Sequence, residues 1–166
     1  MKDADKIGAS AFEGCTKLTE VTLKEGIQYI SSALFKGCAA EAENGMTFRV
    51  KGDSTSNILP KSVQVIRSNA FQEAKLDKID LTNCDKMTEI ENYGFALAAI
   101  AEIKLPENLK KLDDYAFQVA VLTSIDIPSN CTEWGASVFS QSSLTKISLP
   151  KTLEVIPQRS FRQCEF

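Results

Sequence analysis

The 166 residues contain no histidine, so neither a Ser-His-Asp nor a Cys-His nucleophilic site can be assembled from this chain. Acid–base work would then fall to carboxylates, and the tight acidic pairs are Asp113-Asp114 and Glu41/Glu43. Neighbouring residues on a turn usually point apart. Neither pair comes with a glycine-rich loop or an aromatic cleft, so both read as solvated surface. Five cysteines supply the other reactive groups. No C-x-x-C occurs, and without histidine the ligand spacing of a zinc site is missing. No catalytic residue, cofactor or metal ligand is expected from this inventory.

The elements that position these groups follow from phenylalanine. Phe12, Phe35, Phe71, Phe95, Phe117, Phe139 and Phe161 are spaced 23, 36, 24, 22, 22 and 22 residues apart. A side chain recurring at that period belongs to a stacked repeat whose units share one continuous core. With the phenylalanines aligned, other apolar residues fall into columns. Units start near Ile7, Ile30, Ile66, Ile90, Leu112, Trp134 and Ile156, five residues before each Phe. Three residues after it stands a small-residue column: Cys15, Cys38, Ala74, Ala98, Ala120, Ser142 and Cys164. A strand follows, with inward columns two residues apart, such as Val21/Leu23 and Ile103/Leu105. Pro60, Pro106, Pro128 and Pro150 come after the strand and end its ladder. The segments carrying Ala-Phe are short, and they are expected to form one or two turns of helix on the opposite wall.

The residues Ala11-Phe12-Glu-Gly-Cys15-Thr-Lys-Leu18-Thr-Glu-Val21-Thr-Leu23 carry this unit, as do Leu144-Thr-Lys-Ile147-Ser-Leu149-Pro150-Lys-Thr-Leu153-Glu-Val-Ile156. The pattern resembles the BspA-like leucine-rich repeats of bacterial and protozoan surface proteins, from about Ile7 to Cys164. The resemblance implies a single leucine-rich-repeat solenoid over 1–166, with a parallel sheet of short strands on one wall and short helices or turns on the other. It implies non-enzymatic recognition or adhesion by a cell-surface or secreted protein, with a host or neighbouring-cell protein as partner. An intracellular scaffold, or a recognition region attached to a surface enzyme, is the alternative. The chain begins within a unit and ends before a strand, which leads us to expect a fragment of a longer array.

The columns then sort the remaining candidates. Cys15, Cys38 and Cys164 share the small inward column and Cys131 stands in a leucine column, so these four read as buried thiols. A Cys15–Cys38 bond stays open, although parallel inward side chains seldom give the required dihedral. Cys84, in an expanded turn, is expected to be the most exposed. Trp134 replaces an isoleucine and reads as core. Tyr93 and Tyr115 share the position two before Phe, so their rings should lie ~4.8 Å apart, packed on each other or forming a small contact patch.

Outward strand positions carry Glu20, Lys78, Glu102 and Lys146, then Thr22, Arg49, Asp80, Lys104 and Asp126. Arg49, Asp80, Lys104 and Asp126 alternate in sign and Lys78 neighbours Glu102, which predicts a self-paired ladder and weak binding on this face, with Arg49 and Lys104 as its candidate protein contacts. The unit from Ile30 to Ile66 is expanded by 13 residues relative to the first. Met46-Thr-Phe-Arg-Val50 is its expected strand, with Phe48 and Val50 inward. The excess lies in 39–45 and in 51–58. These loops are expected to be the most mobile segments, with the contact edge at Gly52, Asp53, Ser54, Thr55, Ser56 and Asn57; drift in a tolerant loop is the plainer reading. The loop also lacks the acid count of a calcium site.

Acidic and basic residues number 22 and 19, for a net charge of −3 with no run of one sign, so no basic stripe for nucleic acid is present. No apolar run approaches the ~20 residues that span a membrane. Met1-Lys-Asp-Ala-Asp-Lys has no hydrophobic region of a signal peptide.

Overall fold

The computed structural model describes residues 7–164. Residues 1–6 and 165–166, on which the readings of a leader and of a truncated array partly rest, lie outside the described residues. In chain order the strands are β1 (Glu20–Leu23), β2 (Tyr29–Ile30), β3 (Thr47–Val50), β4 (Val65–Ile66), β5 (Lys75–Asp80), β6 (Glu89–Ile90), β7 (Ala99–Lys104), β8 (Lys111–Leu112), β9 (Ser124–Asp126), β10 (Glu133–Trp134) and β11 (Lys146–Ser148). Longer strands alternate with two-residue ones, so each coil carries one of each. All pairing between named strands is parallel, as stacking of like coils requires. The short strands form one five-stranded sheet in the order β10-β8-β6-β4-β2, with Ile30, Ile66, Ile90, Leu112 and Trp134 in line. The molecule is a parallel β-solenoid of leucine-rich-repeat type.

The expected helical wall is absent. The described residues contain turns where the Ala-Phe segments were read as short helices. In the first coil Ser10, Phe12 and Gly14 donate their amides to Ser32, Leu34 and Lys36 of the next coil, at 2.9, 3.1 and 2.8 Å. An α-helix would need those same amides for carbonyls four residues back. Alternate amides instead close tight turns, such as Glu13 to Ser10 and Cys15 to Phe12, both 3.1 Å. The turns demand left-handed backbone two residues before and two after each Phe: Tyr93 has φ 57° and Leu97 φ 58°, Tyr115 φ 60° and Val119 φ 56°. Helix cannot pass through such residues.

The phenylalanines stack ring on ring along the axis. Phe95 lies 4.9 Å from Phe71 and 5.3 Å from Phe117, with ring planes within 7° and 4°. The five from Phe35 to Phe139 are completely buried. Phe12 and Phe161, expected to be buried like the rest, are half-exposed because each has a described neighbouring coil on one side only. The same asymmetry leaves Cys15 exposed and Cys164 half-buried, whereas Cys38 and Cys131 are buried. Cys84 is also fully buried, against expectation: its turn folds under the sheet, with Sγ 3.5 Å from the Pro60 carbonyl. Trp134 is half-buried, and its Nε1 donates to the Cys131 carbonyl at 3.1 Å.

The expanded unit leaves the stacking undisturbed, since Ile30 and Ile66 still pair directly. β3 is its strand, with Phe48 and Val50 buried. After β3 the chain doubles back. Arg49 bridges Ser56 in antiparallel sense, and the Asn57 amide donates to the Phe48 carbonyl at 2.6 Å. The Asn57 carbonyl accepts from the Asp80 amide at 2.7 Å, and Ile58 pairs with Asp80. Residues 56–58 are therefore a wedge between β3 and β5. Asn57 and Ile58 are buried, so this end of the loop is part of the packing and not the dispensable segment expected from sequence.

Candidate functional site

The wedge reorganises the charges on the strand wall. Arg49 is kept away from Asp80 and pairs with Glu20 of β1 at 3.0 Å. Asp80 pairs with Lys104 at 3.6 Å, and Lys104 also lies 3.6 Å from Glu102. Lys78 stands opposite Glu102 in the register, yet its expected partner is held by Lys104. The continuous ladder predicted from sequence is thus broken into two local clusters. Burial works against the ionised Asp80 carboxylate. The Thr82 hydroxyl and amide donate to Oδ1 at 2.6 and 2.9 Å, and with Lys104 they outweigh that cost and hold its pKa below the usual carboxylate value.

The loop and the strands enclose a cavity of about 200 Å³ lined by Thr55, Ser56, Asn57, Lys78, Glu102 and Lys104 among others. Oδ1 of Asn57 is buried and has no hydrogen-bond partner among the described residues. An unpaired buried acceptor costs about 1–3 kcal/mol. The outer turn is ordered by Asp53, whose Oδ1 accepts from the Thr55 amide at 2.8 Å. That bond depresses the Asp53 pKa. Of the residues singled out from sequence, Thr55, Ser56, Asn57 and Lys104 line the cavity. Gly52, Asp53 and Ser54 are exposed, and Arg49 is taken up by β1.

Tyr93 and Tyr115 stand elsewhere, on the turn wall. Their rings stack 4.9 Å apart at 10°, so they pack on each other, each half-exposed. The sequence reading missed Lys75. Its ammonium donates to the Ala42 and Glu43 carbonyls at 2.7 and 2.8 Å, tying the 39–45 insertion to β5. No local signal announces a contact made across 32 residues of chain.

The two insertion pieces therefore sit at opposite ends of one wall. Residues 39–45 border the start of β5, and 55–58 border its end, about 17 Å away at ~3.3 Å per residue. Among the described residues no group of His, Cys, Asp or Glu converges as a metal site would require, and no helix is long and apolar enough to cross a membrane.

Comparison with solved structures finds a leucine rich cell surface protein from Faecalibacterium prausnitzii A2-165, 22% identical, at a TM-score of 0.44 over 91% of this chain. The chain spans 44% of that protein's length. A leucine-rich repeat protein from Bacteroides ovatus ATCC 8483 is 17% identical at a TM-score of 0.29, over 95% of this chain and 67% of that one. No curated protein matches the sequence. The model of the BspA type leucine rich repeat region matches residues 2–44 and 43–166 in six copies. With its coils in that register throughout, the chain belongs to the BspA-type leucine-rich-repeat family.

Proposed function

We propose that this array is a non-catalytic protein-recognition module of a cell-surface or secreted protein, and that its partner lies along the wall of β5 and β7. Leucine-rich repeats are typically recognition modules, and the surface placement is taken from the family. The observation that carries the choice of wall is the expanded unit. Its 13 extra residues leave the stacking of Ile30 on Ile66 intact and are spent on framing both ends of β5. The cavity under Thr55–Asn57 offers acceptors at Ser56 and Glu102 and donors at Lys78 and Lys104, which suits a peptide's mixed polarity.

A random peptide display library selected on the intact chain tests this. Binders are expected, with affinity about tenfold lower for Lys104→Glu, a loss of ~1.4 kcal/mol. Replacing Gly52–Thr55 by a two-residue turn should weaken binding while leaving the melting temperature nearly unchanged, because loop length costs little. Extending the deletion through Asn57 and Ile58 should lower it. Binders indifferent to both changes and lost with Tyr115→Ser would move the site to the turn wall.

A further inference from the structure

Repeats four and five break the surface pattern at one corner. Two, four and six residues after Phe71 the outward positions are Glu73, Lys75 and Asp77, and after Phe139 they are Gln141, Ser143 and Thr145. Between these polar flanks, the same positions after Phe95 are Leu97, Ala99 and Ala101. After Phe117 they are Val119, Val121 and Thr123. Leu97 is 45% exposed and Val121 56%, and Ala99 and Val121 are bridged neighbours on adjacent coils. This is a contiguous apolar island in the middle of the array, where both neighbouring coils are present.

The island is also strained. Leu97 and Val119 occupy the left-handed position that the first two coils fill with Gly14 and Gly37, at φ 73° and 66°, and the flanking coils with Glu73 and Gln141, both at φ 60°. A branched side chain is costly there, and exposing it brings no compensating burial. The left-handed backbone recurs in every coil, so what marks this corner is its exposed apolar surface, a marker of functional surface.

Beside the island lies a depression of about 340 Å³, lined by Ala99, Ala101 and Val121 on one side and by Glu43, Asn44, Lys75 and Asp77 on the other. Its far rim is the 39–45 insertion, and that rim is rigidly placed. Lys75 holds two of its carbonyls, and Gly45 is packed so closely that a Cβ would stand 2.9 Å from the Lys75 carbonyl. Glu43, Glu73 and Asp77 form no ion pair among the described residues, and the Lys75 ammonium is committed to carbonyls. Three carboxylates against the one ammonium of Lys75 leave the flank net acidic around an apolar centre, the anatomy of a protein interface with a hydrophobic anchor and a charged rim.

We infer that this corner seats an aliphatic or aromatic side chain of a partner segment whose flanking residues are lysine or arginine. The inference rests on the recognition function proposed above and deepens it, assigning the anchor to the start of β5 and β7. The basic character of the partner follows from Glu43 and Asp77 in the lining and Glu73 beside it, which outnumber the Lys75 ammonium, and its apolar anchor from Leu97 and Val121.

The same display selection, read by peptide composition and by variant, tests it. Enriched peptides should carry Leu, Ile, Val, Met or Phe with Lys or Arg within three residues. Their affinity, measured by fluorescence polarisation, should fall about tenfold for Val121→Ser and severalfold for Glu43→Lys combined with Asp77→Lys. Leu97→Gly should weaken binding without lowering the melting temperature, because glycine relieves the backbone; misfolding then cannot account for the loss. Peptides lost with Lys104→Glu but indifferent to Val121→Ser, or peptides without basic residues, would overturn the anchor and leave the recognition function standing. Failure to select any peptide would overturn both. A concentration-dependent dimer that Val121→Ser dissolves would assign the island to a second copy and overturn the basic partner.

Discussion

Depth decides what each cysteine can do, because the thiolate needs water that the core denies it. Burial pushes the Cys84 thiol up from 9.0 to about 12, with the charges of Glu25, Asp85 and Asp80 adding to it. Burial likewise raises Cys131 to about 12, against the hydrogen bond from Trp134. Cys15, exposed, has no such cover. In the native state at pH 8, maleimide should label Cys15 and spare Cys84 and Cys131; mass spectrometry of peptides reads this directly. The same shift ties stability to alkaline pH. The folded pKa is raised, so the stabilisation is complete below about pH 9 and fades as pH climbs toward 12, where the unfolded chain has released protons the folded chain keeps. The slope reaches at most ~1.4 kcal/mol per pH unit per thiol. Urea unfolding free energies should therefore fall more steeply above pH 9 for the wild type than for Cys84→Ala. Equal slopes would mean that Cys84 is not shielded.

Within an element, the aromatic column sets what one coil contributes to its neighbours. Phe95 touches a stacked ring on both faces, and Phe48 adds edge contacts to the column at 5.1 Å from Phe35 and 5.7 Å from Phe71. Emptying the Phe95 site with Phe95→Ala should cost about 3–5 kcal/mol. Phe161 is half-exposed and stacks on Phe139 at 5.7 Å, with Trp134 edge-on at 6.2 Å. Phe161→Ala should cost roughly half as much or less, since part of that side chain is already in water. Denaturant midpoints compare the two. Similar losses would show that inter-coil stacking contributes little beyond local burial.

At the scale of the molecule, among the described residues the backbone bonds that leave a coil go to the coil before or the coil after, as the ladder of Phe71, Phe95 and Phe117 amides onto Gly94, Ala116 and Val138 illustrates. A structure connected this way unfolds as a one-dimensional array, with its ends opening first. The amides of Phe71, Phe95 and Phe117 should exchange with deuterium most slowly, and those of 145–163 much faster. Leu149, Val155 and Ile156, exposed at that end, point the same way. Uniform protection along the chain would instead mark one cooperative unit.

The spacing of phenylalanine was enough to determine the register, the inward columns and the strand of the expanded unit, down to Phe48 and Val50. Stacking imposes the same phase on every coil, so the period is written into residue types wherever burial demands it. The apolar island at Leu97 and Val121 was legible in the same way, as apolar residues in columns that are polar on either side. Other features belonged to the tertiary structure alone. Small residues around Ala-Phe are compatible with either a helical turn or a β-turn. The choice fell to amides of Ser10, Phe12 and Gly14, which bond the next coil and so cannot close a helix. Cys84 and Asn57 lie in segments whose composition reads as exposed loop, yet both are buried because a distant strand or turn folds over them. Column patterns record what recurs from coil to coil. The wedge at 56–58, the Lys75 tether and the burial of Cys84 each occur once, through contacts between residues far apart in sequence, and only the folded chain brings those residues together.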